Sequence, residues 1–201
     1  MFERVSDPAD LEAVLEVESL TNDRIRDEIG QLRLVPLADR VSGPGSSAIM
    51  AAFTHLNPNG SRFSDGSYGV FYAGGSLETA VAETRYHREI FLRATDQGKI
   101  ELDMRVYAAD LNGDLHDLRG MWSDLPDIYD KDDYAASQRL GRTLRGENAW
   151  GIAYDSVRHD GGSCVAVFRP RVLSNCRQER HLCYVWNGDR ISDIYEKRSF
   201  P

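Results

Sequence analysis

Gly60 to His87 reads G-S-R-F-S-D-G-S-Y-G-V-F-Y-A-G-G-S-L-E-T-A-V-A-E-T-R-Y-H, and its three consecutive pieces decide the fold. Ser61-Arg62-Phe63 is a short segment carrying an aromatic, and Asp65-Gly66-Ser67 supplies a turn. Val70-Phe71-Tyr72-Ala73 is an apolar, aromatic run of strand type, closed by Gly74-Gly75. Ser76 then caps a helix, with Glu78 in the first turn where a negative charge suits the helix dipole. Leu77, Ala80, Val81, Thr84 and Phe91 recur at helical spacing and predict one buried stripe. At about 100° per residue, Glu83 is expected at the edge of that stripe, between core and solvent.

Composition sets the outer limits. A chain of 201 residues with 41% apolar and 28% charged residues suits one domain with a sizeable core. Lys+Arg 24 against Asp+Glu 32 gives a net charge of −8, which removes the driving force for general binding to a phosphate backbone. No direct nucleic-acid role is therefore expected. Met1-Phe2-Glu3-Arg4 has no signal-peptide pattern and no stretch approaches membrane-spanning length, so a cytoplasmic protein without a membrane partner is expected. Cys164, Cys176 and Cys183 are odd in number and form no CxxC, as befits reduced thiols.

Along the chain, Asp7-Pro8 opens a first helix and Asn22 to Leu32 predicts a second, so residues 1–40 read as a helical extension of the domain formed by 41–201. Gly43-Pro44-Gly45 imitates a dinucleotide-binding turn, but no strand precedes it and no βαβ unit follows. It reads instead as the cap of a short helix, Ser47 to Thr54. His55, in the loop leading to Arg62, is a minor site candidate. Ile100 to Tyr107 alternates as a half-buried strand, and Asp114 to Leu118 suggests another. The Asp-rich stretch Asp124 to Asp133 lacks the Gly and closing Glu of a calcium loop, and Asp132 is expected to cap a helix from Asp133 to Arg145. Trp150 to Tyr154 and Ser163 to Phe168 flank a turn. His181 to Trp186 and Asp189 to Tyr195 are joined by Asn187-Gly188, a two-residue hairpin signal. These elements predict a single α+β domain of antiparallel sheet with flanking helices.

No H-E-x-x-H, G-x-S-x-G, Walker loop or clustered His/Cys spacing is present, so no metal is expected and the usual hydrolase chemistries lack their residues. What remains is Arg62, Tyr72, Glu83 and, much later, Ser156. Taken singly, each has a plain structural reading: a surface ion pair, a core tyrosine, a solvated helix carboxylate and a strand-end turn.

Read together, they carry a resemblance. R-F-S-D-G-S-Y-G-V-F-Y-A with S-L-E-T-A-V-A-E, and later Y-D-S-V-R-H-D-G-G-S-C-V-A-V-F-R-P from Tyr154 to Pro170, resemble the two motifs of the RES domain, the toxin half of RES–Xre toxin–antitoxin pairs. The likeness spans roughly residues 45 to 190. One position departs from it: many members have Asn two residues after the Arg, where this chain has Ser64. The resemblance implies an ADP-ribosyltransferase-like fold and consumption of NAD as a co-substrate. It assigns the family's essential Arg, Tyr, Glu and Ser to Arg62, Tyr72, Glu83 and Ser156. It also implies an Xre-type antitoxin partner, often in a larger hetero-oligomer, and an acceptor that is water, phosphate or a protein such as phosphoribosyl pyrophosphate synthetase.

The residue set suits that chemistry. Nicotinamide is cationic while attached and leaves as a neutral base, so the two carboxylates of ordinary glycosidases are not required. One carboxylate can stabilise the oxocarbenium-like ribose. At about 4 Å and an effective dielectric of about 20, it contributes about 4 kcal/mol, or roughly a thousandfold in rate. Arg62 can fork onto the pyrophosphate, Tyr72 can face the nicotinamide, and Ser156 can bond Glu83 or the carboxamide. The expected activity is therefore NAD glycohydrolase or phosphorylase. The alternatives are a mono-ADP-ribosyltransferase and a non-catalytic module that binds antitoxin or nucleotide. Val81, two positions before Glu83 where many transferases carry an acceptor-aligning residue, favours water.

Overall fold

In the computed structural model the described residues are 31–198, and they form two sheets with three α-helices. The helix expected from Asp7 and most of the one from Asn22 lie outside the described residues; Leu32–Leu34 forms a short 3-10 turn. Helix α1 is Ser46–Thr54, α2 is Leu77–Ala94 and α3 is Ala135–Gly146. The strands are β1 (Phe71–Gly74), β2 (Ile100–Leu111), β3 (His116–Asp117), β4 (Gly151–Asp155), β5 (Ser163–Val167), β6 (Leu173–Trp186) and β7 (Ile191–Lys197).

One sheet has the order β1-β5-β4-β3 and the other β2-β6-β7. Every pairing is antiparallel except β3 with β4, so the α+β architecture expected from the sequence stands with one parallel edge. Strands β2 and β6 run longer than their alternating segments predict. They pair from Ile100↔Trp186 to Leu111↔Leu173, with register shifts after Val106 and Ala108 that let the ladder continue past the regular pattern. The turn after β6 also differs. Trp186 pairs with Ile191, so Asn187 to Arg190 make a four-residue loop rather than a two-residue one. The Asn187 side chain sets it, accepting from the amides of Asp189 and Arg190 at 2.9 and 3.0 Å.

Helix α2 lies between the two sheets' neighbourhoods and has two working faces. Ser76 caps it as expected, its hydroxyl accepting from the Thr79 amide at 3.2 Å. Leu77, Val81 and buried Leu92 join Leu182, Tyr184, Trp186 and Ile191 of the three-stranded sheet in one cluster. Thr84 contributes through a 2.8 Å bond between its hydroxyl and that of Tyr184. Phe91, placed on the stripe by its spacing, is 57% exposed, and Leu92 takes its place. Glu83 is also placed differently. At ~100° per residue it projects about 150° from the mean direction of Leu77, Val81 and Leu92. The carboxylate therefore faces away from the three-stranded sheet, towards β4 and β5.

Under the four-stranded sheet a second cluster joins Phe63, Tyr68, Tyr154 and Cys164 to Leu144 of α3. A third brings α1 against both sheets through Val167 of β5 and Leu173 and Cys176 of β6. Gly45 enters α1 at φ +80, and a Cβ there would meet the Cys176 carbonyl oxygen at 2.0 Å, so the close approach of helix and strand requires glycine. Helix α3 begins at Ala135 with no side-chain cap from Asp132. Asp133 accepts from the Ala135 amide instead, at 2.8 Å, while Asp132 accepts from the Tyr86 hydroxyl. All three cysteines are buried and unpaired.

Candidate active site

Arg62 sits at the tip of a tight turn closed by the Ser61↔Ser64 bridge, and only 7% of its surface is exposed. Several bonds hold this turn. The Tyr72 hydroxyl accepts from the Phe63 amide at 2.9 Å and bonds the Ser61 hydroxyl at 2.8 Å, gripping both neighbours of Arg62. Ser64, at the position where the resemblance expects Asn, donates to the Tyr68 carbonyl at 2.6 Å and accepts from the Gly66 amide at 3.1 Å. The serine thus closes the loop locally.

The Arg62 guanidinium is half engaged. Nη1 donates to the carbonyls of Ile128 and Asp130 at 2.9 and 2.8 Å, and the group lies 4.6 Å from the Tyr134 ring centroid. Nη2 is buried with no hydrogen-bond partner among the described residues. A buried donor left open on a charged group is costly, and it marks a place where an anion would be held.

Glu83 and Ser156 meet across 73 residues of sequence, the serine hydroxyl donating to Oε1 at 2.6 Å. Ser156 is fixed in turn. Its oxygen accepts from the amides of Arg158 and His159 at 3.1 and 3.0 Å, and its own amide donates to the Gly162 carbonyl at 2.8 Å. His159 returns to α2 through a 2.9 Å bond with the Thr79 hydroxyl. The turn after β4 is thereby clamped to the helix that carries Glu83. Oε2 of Glu83 has no hydrogen-bond partner among the described residues.

The four groups share one region. Buried Tyr154 lies within electrostatic reach of Tyr72, Glu83 and Arg62, although burial itself is the main reason its hydroxyl lies well above its ordinary pKa. His87, one helical turn beyond Glu83, is an exposed residue within electrostatic reach of Glu83, Arg158 and Arg62, and desolvation of its ring by its neighbours is the main cause of its lowered pKa. Burial pushes the Tyr72 hydroxyl up to about 12, so it stays protonated at neutral pH. The residue as a whole is 36% exposed. The Cys164 thiol, also pushed up to about 12 chiefly by burial, lies 3.8 Å from Glu83 Oε1 and lines the floor as a neutral group.

His55, the minor site candidate, is placed at the end of α1. Its ring turns back to Thr54 and to the Ala51 carbonyl at the end of α1. Three neighbours escaped the sequence reading. Tyr86 and His87 stand three and four residues after Glu83 on the same helix face, a spacing that could have found them. Arg158 stands two residues after Ser156, and its guanidinium covers the Tyr86 ring at 3.3 Å. The Asp-rich stretch also has a part: Asp130 Oδ1 accepts from the Asp132 and Asp133 amides, shaping the loop whose carbonyls receive Arg62.

Comparison with known proteins identifies the family. The RES domain family model matches residues 37–187. The chain is also 35% identical over 188 residues to the uncharacterised protein y4oC of Sinorhizobium fredii, covering 92% of this chain and 76% of that one. The family match contains Arg62, Tyr72, Glu83 and Ser156, the residues that the turn, strand β1, helix α2 and the clamped turn after β4 bring together. The chain belongs to the RES domain family.

Proposed function

We propose that this protein consumes NAD by cleaving the bond between nicotinamide and ribose, with water as acceptor. One observation carries the reading: a carboxylate fixed through one oxygen by Ser156, in the same region as a buried guanidinium, with Oε2 of the one and Nη2 of the other lacking a hydrogen-bond partner among the described residues. In this reaction the C1′–N1 bond breaks and its electron pair stays on the pyridine nitrogen. Nicotinamide therefore departs neutral, and no general acid is needed. Glu83 Oε2 faces the ribose as positive charge grows there. Water adds its oxygen at C1′ and releases a proton, giving ADP-ribose.

The other residues have matching roles. Arg62 Nη2 takes a phosphate oxygen, and the Tyr72 hydroxyl positions Arg62 through Phe63 and Ser61 while its ring covers the nicotinamide. Val81 turns to the three-stranded sheet core and cannot align a protein acceptor, which favours water over ADP-ribosyl transfer to a protein. In the cell we place the activity in the cytoplasm as the toxin of a toxin–antitoxin pair, restrained by an Xre-type antitoxin in a hetero-oligomer.

The test is incubation with NAD, following nicotinamide and ADP-ribose by NMR. Both products are expected, and Glu83→Gln should keep the fold while losing about a thousandfold in turnover. Near-wild-type turnover by folded Glu83→Gln would falsify this role for the carboxylate. Nicotinamide release with a mass gain on a protein would replace water by a protein acceptor.

A further inference from the structure

Arg62 has only part of its fork available, yet a dinucleotide brings two ionised phosphoryl groups. A second guanidinium donates to the same short segment. The Arg158 side chain is 12% exposed, its guanidinium lies flat over Tyr86, and its Nη2 donates to the Lys131 carbonyl. Asp132 Oδ1 is 3.9 Å from that same nitrogen. Nε and Nη1 have no hydrogen-bond partner among the described residues.

Arg62 grips the carbonyls of Ile128 and Asp130, and Arg158 grips that of Lys131. The two guanidiniums are thus aligned along one short segment, each laid on a tyrosine ring, Tyr134 or Tyr86. Arg158 is also tied to the catalytic pair, because its amide donates to the Ser156 hydroxyl that holds Glu83. Carbonyls are weak partners for a guanidinium, and Asp132 is a largely solvated carboxylate at the edge of reach. A diphosphate presents ionised oxygens, which a guanidinium holds more strongly than it holds a carbonyl.

We propose that Arg158 is the second diphosphate-binding residue of the cleft, acting beside Nη2 of Arg62, so that the site selects nucleotides carrying a diphosphate over nucleosides. The inference deepens the NAD reading and rests on it for the identity of the reaction. Calorimetric titration separates the two. ADP-ribose and nicotinamide riboside are titrated into wild type, Arg158→Ala and Arg158→Gln; the last keeps the stem and a donor for the Lys131 carbonyl if alanine prevents folding. ADP-ribose affinity should fall about tenfold or more in either folded variant, with riboside affinity unchanged. The KM for NAD should rise by a similar factor, with kcat altered less. ADP-ribose affinity within about twofold of wild type, equal loss of riboside binding, or no ADP-ribose binding by wild type would each overturn the proposal. Diphosphate binding through Arg158 in a wild type that releases no nicotinamide would sink the NAD reading and leave this one standing.

Discussion

The Ser156 hydroxyl donates to Glu83 across 2.6 Å while receiving the amides of Arg158 and His159, so a single oxygen fixes both the carboxylate and the turn that faces it. Ser156→Ala removes all three bonds at a site only 4% exposed. Leaving these groups short of partners is expected to cost about 1–3 kcal/mol. Urea denaturation should show the loss, and turnover should fall by more than stability alone explains, because Glu83 is freed to rotate. Unchanged turnover would make the serine a turn former only.

Tyr72→Phe isolates positioning from stacking. The ring stays, but the Phe63 amide loses its acceptor and Ser61 its partner. The KM for NAD is expected to rise more than kcat falls, since the turn that aims Arg62 is loosened. Tyr72→Ala should add a further loss from the missing ring. Equal kinetics in the two variants would place the whole effect in the hydroxyl.

Gly141→Ala reverses an ordinary expectation. Inside a helix, alanine is favoured over glycine by about 1 kcal/mol. At Gly141 of α3, however, a Cβ would stand 2.2 Å from the Phe63 carbonyl oxygen, against the turn that presents Arg62. The variant is expected to melt at lower temperature than wild type and to bind ADP-ribose more weakly. A raised melting temperature would show that the turn yields freely.

His87 gives a pH dependence with a defined sign. Partial desolvation chiefly, with the charges of Arg158 and Arg62, holds the pKa of this exposed side chain below the usual value near 6.5, and Glu83 opposes them. The unfolded chain therefore binds a proton in a range where the folded one does not. This contribution lowers stability as pH falls from neutral through about 6.5 towards the folded value. His87→Gln should flatten that part of the stability–pH curve measured by denaturant titration between about pH 7 and 5. A curve of unchanged slope would mean that His87 protonates freely in the native state.

Much of this arrangement is legible in the sequence because it is local. The Ser76 cap, the alternation of β2 and the Asp65-Gly66-Ser67 turn each follow from neighbours in the chain. What the chain order hides is long-range. Helical spacing places Phe91 and Leu92 almost equally well, and the sheet decides between them. The same spacing puts Glu83 near the stripe's edge only until Leu92 shifts the stripe's centre and a second sheet receives the opposite face. Asp132 reads as a helix cap until the Tyr86 hydroxyl, from a different helix, claims its oxygen. Motif order brings Arg62 and Ser156 to attention; the main-chain carbonyls that receive Arg62 leave no mark in side-chain identity.

Arg62 finds its carbonyl partners 66 and 68 residues downstream, and Glu83 finds its serine 73 residues downstream. During translation, then, the ribosome releases the guanidinium and the carboxylate well before the carbonyls and the hydroxyl that receive them. A nascent or prematurely terminated chain ending before Ile128 carries both groups without these partners, and one ending between Asp130 and Ser156 still lacks the hydroxyl that fixes Glu83.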